Sequence, residues 1–351
     1  MTQDQTQFIQ QLGSPDPHLR QQAVVALGKL RNAQAVGALM ECLNDPKVEV
    51  QAAAAEALGQ IGDDRAVKVL IESFLGKTYH RLDREGSPGK YFAIVASAAK
   101  ALGQIGNAIA VEALFAEVNT YDRVNQERTA AAVFGLSFVR DERVLSVLLQ
   151  ALQSPSNFVR YHAALALGKA GKTQAVQPLI AALHDPFSTV QEAAVEALGN
   201  LRDPVAAEPL RRVFEDVEFF VPESAVDPYM LYDVRAHLRA AAARSLALLG
   251  GPELISLLEE NLQSPQWVTQ LAAAVGLARR RDSRVFDVLI KALSDKSTAI
   301  QIEAVKGLAY LNDSNAIPFL KEVTSKRDIP IRVIEAAKQA IEQIAEGAAS
   351  A

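Results

Sequence analysis

The side chains able to do chemistry are few and scattered. Five histidines, His18, His80, His162, His184 and His237, stand far apart, and none belongs to an H-E-x-x-H or E-x-x-H set that would place two metal ligands on one helical face. There is no phosphate-cradling G-x-x-x-x-G-K-[ST], no G-x-G-x-x-G after a strand, and no G-x-S-x-G nucleophile elbow. The expectation is therefore no catalytic residue and no metal site. Cys42, the single cysteine, lies between Glu41 and Leu43 and reads as a small core residue, with a surface thiol as the alternative. Arg279, Arg280 and Arg281, followed by Arg284, form a basic knot that reads as a solvated turn, with an acidic patch on a partner as the functional alternative.

The composition excludes further classes. A net charge of -5 gives no general attraction to nucleic acid or to an anionic membrane. One cysteine suits a reducing compartment, and the opening MTQDQTQFIQQLG has neither the basic nor the apolar region of a signal peptide. No run of 18 apolar residues is present, so a membrane span is not expected and a cytoplasmic protein is. Apolar residues make up 49% but aromatics only 6%, a mix dominated by alanine and leucine that favours helix over sheet.

The elements that must position these side chains repeat. Residues 48–75, VEVQAAAAEALGQIGDDRAVKVLIESFL, and 157–183, NFVRYHAALALGKAGKTQAVQPLIAAL, carry small and large residues in the same order. Taking the leucine of the Ala-Leu-Gly step as anchor gives Leu27, Leu58, Leu102, Leu136, Leu167, Leu198, Leu246, Leu277, Leu308 and, more weakly, Ile341. The spacings are 31, 44, 34, 31, 31, 48, 31, 31 and 33, which is a 31-residue unit with two large insertions. Each unit holds two helices. Val50, Ala54, Ala57, Leu58 and Ile61 line one helical face, Gly62-Asp63-Asp64 breaks the chain, and Ala66, Val69, Leu70 and Phe74 line the next. Inside the unit, Asn44-Asp45-Pro46, Ser154-Pro155, Asp185-Pro186 and Ser264-Pro265 suggest a capping oxygen with proline in the first turn of the second helix. Where Ser137, Ala247, Ala278 and Ala309 replace the glycine after the anchor, that helix is expected to run on. Neither helix buries its apolar face alone, so the fold expected for residues 1–351 is a single right-handed all-α solenoid of about ten two-helix repeats, each packed on its neighbours.

The stretch VRYHAALALGKAG at 159–171, with variants along nearly the whole chain, resembles HEAT repeats of the short kind found in phycobilisome lyases. The resemblance is specific for fold and weak for function, because the matching positions pack and cap. What it implies about activity is a phycobilin lyase, or one subunit of it, attaching a bilin to a cysteine of an antenna protein. A pocket for the bilin would then come from Tyr79, His80, Arg81, Asp83, Arg84, Tyr161 and His162.

Two places depart from the repeat, and function is sought there. The insertions 76–91, GKTYHRLDREGSPGKY, and 216–233, DVEFFVPESAVDPYMLYD, both fall between the first and second helix of a unit. Loops this long are often functional, and Tyr79, His80, Arg81, Phe219, Phe220, Tyr229 and Tyr232 are the candidate edge residues. The second departure is on the inner face. Positions six and two before each anchor should point away from the stack and carry polar or small residues, as with Gln21, Ala52, Glu56, Lys100, Glu192, Glu196 and Arg244. Phe134, Tyr161, Leu165, Leu271, Val275 and Ile302 break that rule and are the candidate partner-binding residues. The leading reading is a scaffold or assembly factor that binds protein partners, without a cofactor. The alternatives are the bilin lyase and an accessory of iron-sulfur cofactor assembly using Cys42.

Overall fold

In the computed structural model, residues 3–75, 88–119, 125–221, 228–326 and 328–349 are described, and among them every regular element is a helix. Among the described residues the helices follow one another as ten pairs, the second helix of each carrying the anchor and being the longer in every pair but the fourth, whose helices have 12 and 11 residues. They group into two compact units, 1–170 and 171–351.

In the first unit the pairs are α1 (Gln3–Gln11) with α2 (Pro17–Lys29), α3 (Val36–Cys42) with α4 (Val48–Ile61), α5 (Val67–Phe74) with α6 (Pro88–Ile105), α7 (Ala108–Asn119) with α8 (Gln126–Leu136), and α9 (Arg143–Ala151) with α10 (Asn157–Ala170). The longer helices stack in the order α2, α4, α6, α8, α10. In the second unit α11 (Val176–Ala182) pairs with α12 (Ser188–Leu201). After it α13 (Ala207–Glu215) is followed by the single turn α14 (Val217–Phe220) and then by its partner α15 (Pro228–Leu249). The remaining pairs are α16 (Pro252–Asn261) with α17 (Trp267–Ala278), α18 (Phe286–Ala292) with α19 (Thr298–Leu311), and α20 (Ile317–Ser325) with α21 (Ile331–Ala349). Here α12, α15, α17, α19 and α21 stack in turn, and α15 also touches α19 directly.

The periodic leucines hold the stacks together. Leu27, Leu58, Leu102, Leu136, Leu167, Leu198, Leu246, Leu277 and Leu308 are all buried. Ile341 is only half-buried, because α21 ends the stack and no further helix covers it; Ile344 and Ala337 fill the core there instead. The close approach of neighbouring long helices depends on small residues. The hydrogen of the glycine after one anchor faces the residue before the next anchor: Gly28 meets Ala57, Gly59 meets Ala101, Gly103 meets Gly135, and Gly199 meets Ser245.

Three local expectations are corrected. Pro46, Pro155, Pro186 and Pro265 lie ahead of their helices, which begin at Val48, Asn157, Ser188 and Trp267. Asp45 accordingly turns the chain rather than capping α4: its carboxylate accepts from the Lys47 N–H at 2.8 Å and pairs with Arg20 of the preceding repeat at 2.7 Å. Second, helices lacking the glycine after the anchor do not extend. α8 stops at Leu136 and α17 at Ala278, earlier than α4 does relative to its anchor, while α15 and α19 end where the repeat predicts. Third, the insertions are shorter than the break in period. Residues 88–91 already belong to α6 and 228–233 to α15, so these helices reach 18 and 22 residues against 14 in α4.

Candidate functional site

The first unit gathers five phenylalanine and tyrosine rings and a histidine, Phe92, Phe134, Phe138, Phe158, Tyr161 and His162, at one place on α6, α8 and α10. Phe134 of α8 and Tyr161 and Leu165 of α10 are each half-buried, as their offsets from the anchor predict. They do not stand alone. The His162 ring lies among Phe158 at 4.9 Å, Tyr161 at 5.0 Å, Phe92 at 5.3 Å and Phe134 at 6.3 Å between centroids. Phe92 of α6 packs edge-on against Phe158 at 4.9 Å, and Phe134 does so against Phe138 at 5.4 Å. Such edge-to-face geometry suits ring quadrupoles and rigidifies the cluster.

Two polar groups sit in this recess. Neither ring nitrogen of His162 has a hydrogen-bond partner. Burial pushes the imidazole down to about 4, so it is uncharged at neutral pH and offers one donor and one acceptor that the chain leaves unused. The Lys169 ammonium lies over the Phe138 ring, and burial first, then the charge of Lys100, lowers it to about 8. The half-buried rings of Phe92, Phe134, Phe158 and Tyr161 make a rigid aromatic surface suited to apolar contact, with the His162 nitrogens buried beneath it.

The matching residues of the second unit divide differently. Ile302 is half-buried, as expected, but Leu271 and Val275 are buried at 2% and 0% exposure and are removed from the candidate surface. The cause is the direct contact of α15 with α19, which closes over α17 and covers the positions that are open in other repeats. The lid is ionic. Arg244 of α15 donates to Glu303 of α19, both buried, and reaches Glu196 of α12 at 3.3 Å and Glu192 at 4.0 Å. Burial alone would raise the Glu303 carboxyl; Arg244, His237 and Lys306 outweigh it and hold the group well below the usual carboxylate range.

Of the edge-loop candidates, Tyr79, His80 and Arg81 lie outside the described residues, as do the side chains of Phe219 and Tyr229. Phe220 is not an exposed edge residue: it is buried, stacks on His184 at 4.8 Å, and its carbonyl accepts from Gln191 Nε2 at 2.7 Å. The second insertion is thus partly clipped to the helices before it. Tyr232 is exposed, beside exposed Met230. Cys42 is a core residue whose thiol burial pushes up to about 11, so the surface-thiol alternative fails. Within the arginine knot, Arg279 stacks on Tyr310 at 4.5 Å and Arg284 pairs with Glu259 and Asp282.

Phe92, Phe138 and Phe158 were not anticipated. Phe92 lies ten residues before its anchor, at the position where α2, α4, α8 and α10 begin with Pro17, Val48, Gln126 and Asn157, and off the two offsets read as the inner face. Glu303 and His237 were missed for the same reason, being off the two inner-face offsets. A count of aromatic residues around 134–162 was the available signal.

Comparison with known proteins agrees with the architecture. The family model for HEAT repeats matches residues 6–85, 121–188, 145–227 and 260–342, and that for the PBS lyase HEAT-like repeat matches 238–264. No curated protein matches the chain. Among solved structures, the Escherichia coli protein YIBA is 20% identical over 82% of this chain and 95% of its own, with a TM-score of 0.43. Human deoxyhypusine hydroxylase in complex with glycerol is 20% identical over 78% and 95%, TM-score 0.35. The complex of CpcE and CpcF of phycocyanin lyase from a Nostoc species is 20% identical over 96% and 94%, TM-score 0.32. These likenesses carry no functional argument. Among the described residues no helix is long and apolar enough to cross a membrane.

Proposed function

Since this chain belongs to the HEAT-repeat family, we propose that it is a protein-interaction scaffold whose docking surface is the aromatic recess on α6, α8 and α10. The observation that carries the reading is the ring cluster of Phe92, Phe134, Phe158 and Tyr161 around His162, half-open and with both imidazole nitrogens unpartnered. Aromatic side chains in rigid recesses are the residues that dominate protein interfaces, because they bring large contact area at little conformational cost. A partner presenting apolar or aromatic side chains would pack on the half-buried rings of Phe92, Phe134, Phe158 and Tyr161, over the buried imidazole nitrogens of His162. Exposed Met230 and Tyr232 offer a separate apolar edge in the second unit.

A photo-crosslinking amino acid placed at position 161 in the source cells tests this, with position 112 on the exposed side of α7 as control. A discrete adduct from 161 and not from 112 is expected. With that partner purified, Tyr161→Ala and Phe134→Ala should each weaken binding by about 1 to 3 kcal/mol, with the melting temperature nearly unchanged. Loss of fold rather than of binding would place these rings in the core and end the proposal.

The bilin-lyase reading draws on the same recess, since a planar chromophore could stack where Tyr161 and His162 stand. A red-shifted visible band on mixing the purified protein with free bilin, abolished in Tyr161→Ala, would favour it over a protein partner. The iron-sulfur reading has no residue left to carry it, because Cys42 is inside.

A further inference from the structure

The ionic lid of the second unit contains a set of side chains that the scaffold reading does not use. We propose that Glu192, His237 and Glu303, from α12, α15 and α19, form a site for a divalent transition-metal ion that clips these three helices together. One nitrogen or carboxylate oxygen from each lies within 4.8 Å of the others. His237 Nδ1 and Glu303 Oε1 are 2.9 Å apart. An ion about 2.1 Å from each would see them at an angle of about 90°, the cis angle of an octahedral site. Ligands trans to one another across such an ion are at most about 4.2 Å apart, which sets how near Glu192 has to bring an oxygen to the other two. It is half-buried at the rim, free to do so, and leaves the remaining positions to water.

His237 would meet the ion through the nitrogen that faces Glu303. Facing the ionised Glu303 carboxylate, Nδ1 carries the hydrogen and donates it. When the metal takes that nitrogen its hydrogen has to leave, Nε2 carries the hydrogen of the metal-bound ring, and the ion stands where the hydrogen bond was.

Two cations already occupy the neighbourhood, and they decide whether a third can enter. Lys306 Nζ is 2.8 Å from Glu303 Oε1, the oxygen the metal needs. Arg244 holds the other oxygen, Oε2, and is buried, so it stays. Lys306 is 36% exposed on a flexible stem and can swing into water. Leaving the imidazole out of the count, Glu192, Glu196 and Glu303 face Arg244 and Lys306, three negative charges against two positive. With Lys306 displaced by a divalent ion, the three carboxylates meet the single charge of Arg244 and the two of the ion, and the cluster becomes neutral. Metal and Lys306 therefore compete for one oxygen, which is the signature that separates this site from a purely structural ion-pair network.

Isothermal titration of the full chain near neutral pH, after stripping with EDTA, tests it with Ni²⁺ or Zn²⁺ as probe. One equivalent should bind. His237→Ala and Glu192→Gln should each weaken it by about 10-fold or more, and Lys306→Met should tighten it. Glu192→Gln keeps the Arg244–Glu303 pair and loses only the longer contact of Glu192 with Arg244, so an unchanged melting temperature in the metal-free variant separates lost ligation from lost fold; Co²⁺ absorption would report imidazole ligation independently. The proposal is overturned if no single equivalent binds, if affinity is indifferent to Glu192→Gln and His237→Ala, or if Lys306→Met fails to tighten it.

Discussion

Replacing Gly103 by alanine measures how tightly the long helices of the first unit are pressed together. A Cβ at Gly103 would lie 2.1 Å from the Gly135 carbonyl oxygen and 2.9 Å from its carbon. Both obstacles are backbone, so no side chain can rotate away. Ordinary contact begins near 3.4 Å, so α6 and α8 must separate by about 1.3 Å at this point. A gap of 0.5–1 Å already forfeits about a quarter to a half of each dispersion contact, and overpacking of this kind costs about 1 to 3 kcal/mol. Alanine returns up to about 1 kcal/mol of helix propensity. The expected balance is a net loss of about 2 kcal/mol, or roughly 4 to 8 °C in the melting of a unit this size.

Gly37 supplies the control. It is an exposed glycine on the first turn of α3 and has nothing within 4 Å of the added carbon, so Gly37→Ala should hold or raise the melting temperature. Gly135→Ala, whose Cβ would meet the Ala99 carbonyl at 2.5 Å, should fall between wild type and Gly103→Ala. Helical circular dichroism during thermal melting of the four proteins gives the order directly. Gly103→Ala melting at or above wild type would refute the packing argument.

Other consequences are as specific. Leu167→Ala, at a fully buried anchor, should destabilise by about 2 to 5 kcal/mol in denaturant unfolding; a loss under about 1 kcal/mol would mean the anchor is not the core. Arg244→Met should cost about 3 kcal/mol by stranding Glu303, and the double variant Arg244→Met with Glu303→Leu should recover most of it. The carboxyl of Glu303 is held low in the fold, so its contribution is present above the ordinary carboxylate range and lost as pH falls below it; Glu303→Gln should flatten that acid limb. His162 acts in a neighbouring window. Its imidazole titrates near 4 when folded and near 6.5 when unfolded, so the unfolded chain takes up a proton that the fold refuses. Stability should decline between these values by up to about 3 kcal/mol, and His162→Phe should remove that slope. An unchanged slope would place His162 in water.

The repeat was legible because one physical demand recurs every 31 residues: a large apolar anchor with small neighbours, so that helices can approach. That demand set the helix pairs, the buried leucines from Leu27 to Leu308 and the place of both insertions. Reading the surface from the same template fails wherever a helix contacts more than its neighbour. Leu271 and Val275 occupy the offsets of half-buried Glu192 and Glu56, yet they are buried where α15 reaches past α17 to α19. Nothing in the period of α17 announces this, because the contact is made by the helices on either side of it and includes the ion pair between Arg244 and Glu303, residues 59 apart. Phe92 and His237 escaped for a related reason: they stand ten and nine residues before their anchors, at the start of the ordinary repeat helix and off the two offsets read as the inner face. In a stacked array the core is a nearest-neighbour property and can be read from one period. The surface on which function depends is set by contacts that skip a repeat, and these follow from charge and insertion length, which the period does not encode.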